Sequence, residues 1–232
     1  MYTVKRITDE PIITPDTDPS IGTNINGPSL IKVPSWIEQP LGRYYLYFAH
    51  HQGRFIRLAY ADALTGPWTV HAPGTLKLEQ TEGTAHHIAS PDVQVDEDAR
   101  RIRMYFHAPT DNHQRSFVAF SADGIAFTAD STVLAPFYLR TFDYDGKVYG
   151  IAKTCGAPGG GELLVSNDGV TPFSLIRAVI PQQRHVAFLR VAEDVVDVFF
   201  SRGEDCPERI LVSRLRLTGA PVLARAELAT VQ

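Results

Sequence analysis

The 232 residues are 44% apolar and 21% charged, enough to bury a sizeable core and too apolar for global disorder. A net charge of −4 with no run of like charges argues against a nucleic-acid partner, and no stretch of roughly eighteen apolar residues is available to span a membrane. The first residues, Met1-Tyr-Thr-Val-Lys-Arg6, lack the apolar run of a secretory signal, which points to a cytoplasmic protein, and Cys155 and Cys206, without metal-site spacing, are expected to be free thiols.

In chain order, residues 1–28 form an arm rich in turn formers, among them Pro11, Pro15, Asp16, Asp18, Pro19, Gly22 and Gly27. An outer strand is expected there from residues 2–7 or 12–14. A phrase then recurs four times: an apolar strand, a second strand rich in Tyr and Phe, a turn, and a third strand. The second strands carry Tyr47, Tyr105, Tyr149 and Phe199, a spacing of about 50 residues that signals radial repetition of small antiparallel sheets. The repeats predict blades over 29–80, 86–131, 134–178 and 184–228 of a single all-β propeller domain. Turn signals separate the strands at Gly66-Pro67, Asp123-Gly124, Asp145-Gly146, Asn167-Asp168-Gly169 and Thr218-Gly219. Gly159-Gly160-Gly161 reads as a flexible hairpin tip, since no helix follows to make a phosphate-cradling loop. The two ends of the chain can pair into a partial fifth blade, or leave an open edge that would invite a second copy of the chain.

In a propeller the first strand of each blade lines the axis, and polar residues recur at the same phase of these strands. They are Asn24 and Asn26 in blade one, His87 and Asp92 in blade two, Arg140 in blade three, and Arg184 and His185 in blade four. The second strands end in His50-His51, His107, Lys153 and Ser201-Arg202. Each residue alone also reads as a hydrogen-bonded structural group. Together they predict a polar pocket on the axis. Asp92, following Pro91, is the leading carboxylate for a general base or for the group that orients one. Glu208 is a candidate acid, or alternatively the ion-pair partner of Arg202 or Arg209. Asp16 and Asp18 read as turn formers that could fold over the pocket. Neighbouring residues on a strand face opposite ways, so one each of His50/His51 and His86/His87 can face the pocket. No tight metal motif is present, and the cofactor expectation is limited to an axial divalent ion of the calcium type. The aromatic residues of the second strands, and Trp68, read as packing groups.

The phrases Asn24-Ile-Asn-Gly-Pro-Ser-Leu-Ile31, Tyr44-Tyr-Leu-Tyr-Phe-Ala-His-His51, Ile56-Arg-Leu-Ala-Tyr-Ala-Asp62, Ile88-Ala-Ser-Pro-Asp-Val93, Arg103-Met-Tyr-Phe-His107 and Pro207-Glu-Arg-Ile210 occur together. They resemble a group of bacterial proteins related to glycoside hydrolase family 43, within the five-bladed propeller set of arabinanases, xylosidases and fructan-cleaving enzymes. The resemblance covers about residues 10 to 215. It implies four clear blades plus a partial or missing fifth, and hydrolysis with inversion by three acidic residues: a base on blade one, a tuning Asp on blade two and an acid Glu on blade three. At those places this chain has Gly27-Pro28 after Asn26, Ser90-Pro91 before Asp92, and Arg140. His185 looks like the family's channel histidine.

The function expected from this reading is a glycoside hydrolase-like enzyme acting on a small carbohydrate or glycoconjugate. Asp92 would be the base or its orienter, Glu208, His87 or His185 the proton donor, and Asn24, Asn26, His50, His51, His107, Arg140, Arg184 and Arg202 the substrate-binding groups. The Arg and His content suggests an acidic substituent. The alternatives are a carbohydrate-binding propeller without turnover, and a lyase, cyclase or isomerase reusing the pocket with His and Arg chemistry.

Overall fold

The structure is a computed structural model and describes all residues except 1, 112, 155–158, 219–221, 225–226, 229 and 232. The Cys155 thiol and the Thr218-Gly219 turn of the sequence reading therefore fall wholly or partly outside the described residues. Cys206 is an exposed free thiol. The chain forms two compact units, one of Ile7–Val133 and one of Leu134–Gln232 together with Met1–Arg6. Among the described residues only short 3-10 turns, Pro19–Ile21 and Leu78–Gln80, interrupt an all-β chain, and no helix is long and apolar enough to cross a membrane.

Among the described residues nineteen strands follow one another. The first, β1 (Thr3–Val4), precedes β2 (Ile25–Lys32), β3 (Tyr44–His50), β4 (Arg57–Ala61) and β5 (Thr69–His71), which pair consecutively and antiparallel as blade one. Blade two is β6 (Ala89–Asp96), β7 (Arg101–Pro109), β8 (Gln114–Ser121) and β9 (Thr128–Ala129). Blade three is β10 (Ala135–Tyr144), β11 (Lys147–Lys153), β12 (Gly160–Ser166) and β13 (Ser174–Pro181). Blade four is β14 (Gln183–Ala192), β15 (Val195–Arg202), β16 (Leu211–Arg216) and β17 (Val222–Leu223), with β18 (Glu227–Leu228) also on β16. The last strand, β19 (Thr230–Val231), pairs in parallel with β1, joining the two ends of the chain.

The unit of blades one and two is held by one apolar cluster that includes Tyr45, Tyr47, Leu58, Ile102, Met104 and Phe106, all 2% exposed or less. The second strands dominate it because period-2 alternation turns their Tyr and Phe rings to a buried face. A smaller cluster of Ile21, Leu46, Phe48 and Ala59 lies on the other face of blade one, where Ile13 of the arm and Trp68 pack against it. Trp68 is half-buried and lies just before β5, so it covers this cluster's edge rather than lying within the core on a strand. The other unit has its own core around Ile151, Leu163, Val196, Val198 and Leu215. Tyr2 is fastened to it: the phenol donates a short hydrogen bond to Asp197, and the ring meets Phe199 edge-on at 5.2 Å. Residues 12–14 do not form a strand, because a local turn, with Thr17 N–H donating to the Thr14 carbonyl and Thr14 N–H to the Thr17 hydroxyl, takes their hydrogen bonds. Gly160 and Gly161 begin β12 rather than forming a hairpin tip.

Candidate functional site

Every first strand is bulged near its start. Between Asn26 and Ser29, Ala89 and Asp92, and Phe137 and Arg140, three residues of the first strand span what two span on its partner; between Gln183 and His185 the count is two against one. One extra residue per blade is the definition of a β-bulge, a device that re-aims side chains next to sites. In the first three blades a residue two positions before the end of the bulge holds φ at 62° (Gly27), 51° (Ser90) or 56° (Tyr138); blade four has Gln182 at 55° instead. Only Gly27 takes that conformation without steric cost, so Ser90 and Tyr138 are strained positions held by their surroundings. The residues that leave the bulges are Ser29, Asp92, Arg140 and His185.

In the unit of blades one and two the bulges touch. A Cβ on Gly27 would lie 3.0 Å from the Ser90 Cα, and Val93 N–H donates to the Ser29 hydroxyl at 2.9 Å. Asp92 is 7% exposed and takes a 3.3 Å hydrogen bond from the Gln94 amide. It lies directly opposite Tyr105, and His107 stands two residues further along the same regular strand, so all three share one face. The His87 ring meets His107 edge-on, centroids 6.1 Å apart. Burial holds the His87 imidazole below its ordinary 6.5, against a raising hydrogen bond with Gln114. The structure thus groups Asp92, His107 and His87. Asn24 and His51 are exposed, with His51 N–H bonded to the Asn24 carbonyl at 2.9 Å. His50, opposite Ile25, packs against Gly22.

A cavity of about 500 Å³ lies between the arm and blade one, lined by Ile12, Ile13, Ile25, Leu46 and Phe48 among others, with Asn26 as a polar lining residue. Arg57, 6% exposed, lies with its guanidinium 4.1 Å over the Phe55 ring and donates to the Phe55 carbonyl at 3.2 Å. Burial lowers its pKa.

The other unit groups a different set. Glu208 accepts the Ser201 hydroxyl at 2.5 Å and pairs with Arg184 at 3.2 Å. Its ion-pair partner is therefore Arg184, not Arg202 or Arg209, because β15 brings Ser201 and β14 brings Arg184 to the loop that precedes β16. Ser201 stands opposite His185 in the register. The His185 ring meets Tyr138 edge-on at 5.7 Å. Partial burial, then the nearby Arg184, Arg140 and Lys153 charges, hold this imidazole below 6.5, while Glu208 acts in the opposite direction. Lys153 lies over the Phe137 and Tyr138 rings at 5.6 and 6.0 Å.

Two features escaped the sequence reading. The bulge at Tyr138-Leu139 has no Pro or Gly to announce it. Gln183 is 1% exposed, with neither amide atom hydrogen-bonded among the described residues. Among the described residues no cluster of three or more His, Cys, Asp or Glu could hold a metal ion. Asp18 caps the 3-10 turn at Pro19–Ile21, accepting the Ser20 amide at 2.8 Å, which is the turn role expected of it.

No family model matches the sequence. An uncharacterized protein of Acanthamoeba polyphaga mimivirus is 35% identical over 231 residues, covering 84% of this chain and 63% of that protein, so the chain spans less than two thirds of its relative's length. Among solved structures, a family-43 α-L-arabinofuranosidase from Clostridium thermocellum gives a TM-score of 0.70 at 19% identity, over 90% of this chain and 74% of that one. A family-43 β-xylosidase/α-arabinofuranosidase from a compost microbial metagenome gives 0.67 at 15% identity, over 96% and 81%. An exo-β-1,3-galactanase from Clostridium thermocellum gives 0.65 at 13% identity, over 89% and 49%. The chain has the fold of the family-43 glycoside hydrolases. At these identities the likeness concerns the fold, and the activity has to be argued from the residues.

Proposed function

We propose that the chain is a glycoside hydrolase-like protein acting on a small carbohydrate or glycoconjugate, with Asp92 as its base. The observation that carries this reading is the bulge of β6, which turns a mostly buried carboxylate onto the face shared with His107 and, through it, His87. Asp92 takes a proton from the attacking water as its oxygen bonds to the anomeric carbon. The bond to the leaving oxygen breaks, and that oxygen receives a proton from an acid. His87 is the donor on this face. Its lowered pKa confines the protonated form to solution more acidic than pH 6.5. The test is release of reducing sugar from a panel of aryl glycosides and plant oligosaccharides, for the native chain and Asp92→Asn. Turnover that survives the substitution would sink the assignment.

A second reading is a carbohydrate-binding propeller. It is favoured by the residues that leave the other bulges: Ser29, Arg140 and His185 stand where hydrolysis by a pair of carboxylates would place a second acid. Calorimetric binding of an oligosaccharide that is never cleaved would select it. An unsaturated, ultraviolet-absorbing product would instead identify a lyase.

A further inference from the structure

Blade four has a buried amide that the fold leaves unanswered. Gln183 is 1% exposed, and neither its Oε1 nor its Nε2 has a hydrogen-bond partner among the described residues. Burying such a group without partners is costly, and native proteins avoid it unless something else supplies the bonds. The side chain is pinned in place: a Cβ on Gly161 would sit 1.9 Å from Oε1, so the amide occupies the room that the glycine leaves. Directly opposite in the strand register is Arg202, whose buried Nε also has no partner. Its guanidinium lies 5.8 Å over the Phe200 ring, and no carboxylate among the described residues pairs with it. Lys153, on β11, stands opposite Gly161 and lies over the Phe137 and Tyr138 rings. An amide offering a donor and an acceptor, a guanidinium and an ammonium thus gather at one end of this unit, next to His185 and Glu208.

We propose that Gln183 and Arg202, with Lys153, form a binding corner for the carboxylate of an acidic sugar, a uronate. The planar fork of Arg202 matches the two carboxylate oxygens, the Gln183 Nε2 donates to one of them, and its Oε1 accepts from a neighbouring hydroxyl. A neutral sugar satisfies the amide and leaves the guanidinium without a counter-charge, so selectivity for the acid comes from Arg202 and Lys153 and affinity for both classes from Gln183. This deepens the carbohydrate reading of the preceding section and rests on it for the class of ligand, though not on any turnover.

The test is isothermal titration of the full chain with sodium glucuronate and galacturonate, and with glucose and galactose as neutral counterparts. At least tenfold tighter binding of the uronates is expected. Arg202→Met should remove that preference. Gln183→Leu should weaken uronate binding about tenfold while leaving the melting temperature unchanged or higher, because it replaces a buried amide without partners by an apolar group of similar volume. Equal affinity for acid and neutral sugars overturns the proposal, as does full uronate binding by Gln183→Leu, which would mean that the amide serves a structural water. If Gln183→Leu does not fold, Arg202→Met decides alone. Uronate-selective binding with no cleavage of any glycoside would sink the hydrolytic reading and leave this one standing.

Discussion

The two units solve one problem with opposite chemistry. In blades one and two, the bulge delivers a carboxylate into a buried setting: Asp92, Tyr105 and His107 are all 7% exposed or less, and burial lowers the pKa of the neighbouring His87. In blades three and four, the bulges deliver Arg140 and His185, the carboxylate is the exposed Glu208, and it is engaged by Ser201 and Arg184. The same backbone device therefore presents a largely buried carboxylate–imidazole face in one unit and a cation-rich, solvent-open one in the other. A repeated fold fixes where side chains emerge and leaves their charge free to diverge.

The comparison is most sharply broken by Asp92→Asn. If the buried face is the reactive one, the neutral amide loses about 10²–10⁴ in turnover while keeping the hydrogen bond to Gln94 within reach, so the melting temperature moves little. The matching change in the other unit, Glu208→Gln, should alter sugar binding more than turnover. Steady-state rates on the best substrate of the panel decide between them, and equal losses from both changes would erase the distinction.

A smaller effect, on stability, separates the units by their ion pairs. Asp197 is 1% exposed and takes both Arg214 donors, at 2.7 and 2.9 Å, together with the Tyr2 hydroxyl. The Arg214 hydrogen bonds, ahead of the Tyr2 bond, hold its carboxyl below the ordinary 3.8. Because the folded pKa is the lower one, the pair stabilises the fold fully above the ordinary value and loses that contribution as pH falls through the folded value. Asp197→Asn should cost about 3 kcal/mol at neutral pH and release the N-terminal residues. The loss should shrink in acid. Denaturant melts at pH 7 and pH 3 measure it, and an equal loss at both would show that packing, not charge, holds Tyr2.

Gly27→Ala comes next. It forces a side chain into φ 62° and within 3.0 Å of the Ser90 backbone, itself strained at φ 51°. A destabilisation of about 2 kcal/mol is expected, seen as a lower melting midpoint. The same substitution at Gly146, where nothing lies within 4 Å of the added methyl, meets only the backbone cost and should lose less.

How much of this was legible in the sequence follows from what each feature depends on. The all-β run of antiparallel strands was, because alternation and aromatic second strands are local signals. So was the turn at Asp145-Gly146, where both residues hold positive φ, 49° and 69°, between the paired Tyr144 and Lys147. Asp92 could be singled out because it follows Pro91 at the start of a first strand. The bulge at Tyr138 could not be foreseen, since its left-handed residue is a bulky aromatic held there by tertiary contacts. Nor could Gln183: an amide beside an Arg in a polar stretch looks solvated until Gly161, more than twenty residues away in the chain, is seen to leave it a slot. The partner of Glu208 was missed for the same reason, as the choice among Arg184, Arg202 and Arg209 is made by strand register and not by spacing.

The smallest effect tests the electrostatic contrast directly. Both His87 and His185 have folded pKa values below 6.5, in each case with burial as the first cause. A histidine with a depressed folded value binds its proton more tightly when unfolded, so both leave the fold most stable above 6.5 and less so as pH falls below it. The secondary causes differ. For His87 a hydrogen bond with the neutral Gln114 side chain opposes burial and the nearby His51 and His86 add to it, whereas His185 is set between three cations and Glu208. Glu208→Gln should therefore lower the His185 midpoint further and leave His87 where it is, and Lys153→Met should raise His185 alone. Salt should move the His185 midpoint more than that of the half-buried His87. Imidazole proton chemical shifts followed from pH 4 to pH 8 read all three. A His185 midpoint above 6.5 would mean that Glu208 outweighs the cations, and the open face would then carry the protonated imidazole at neutral pH that the buried face lacks.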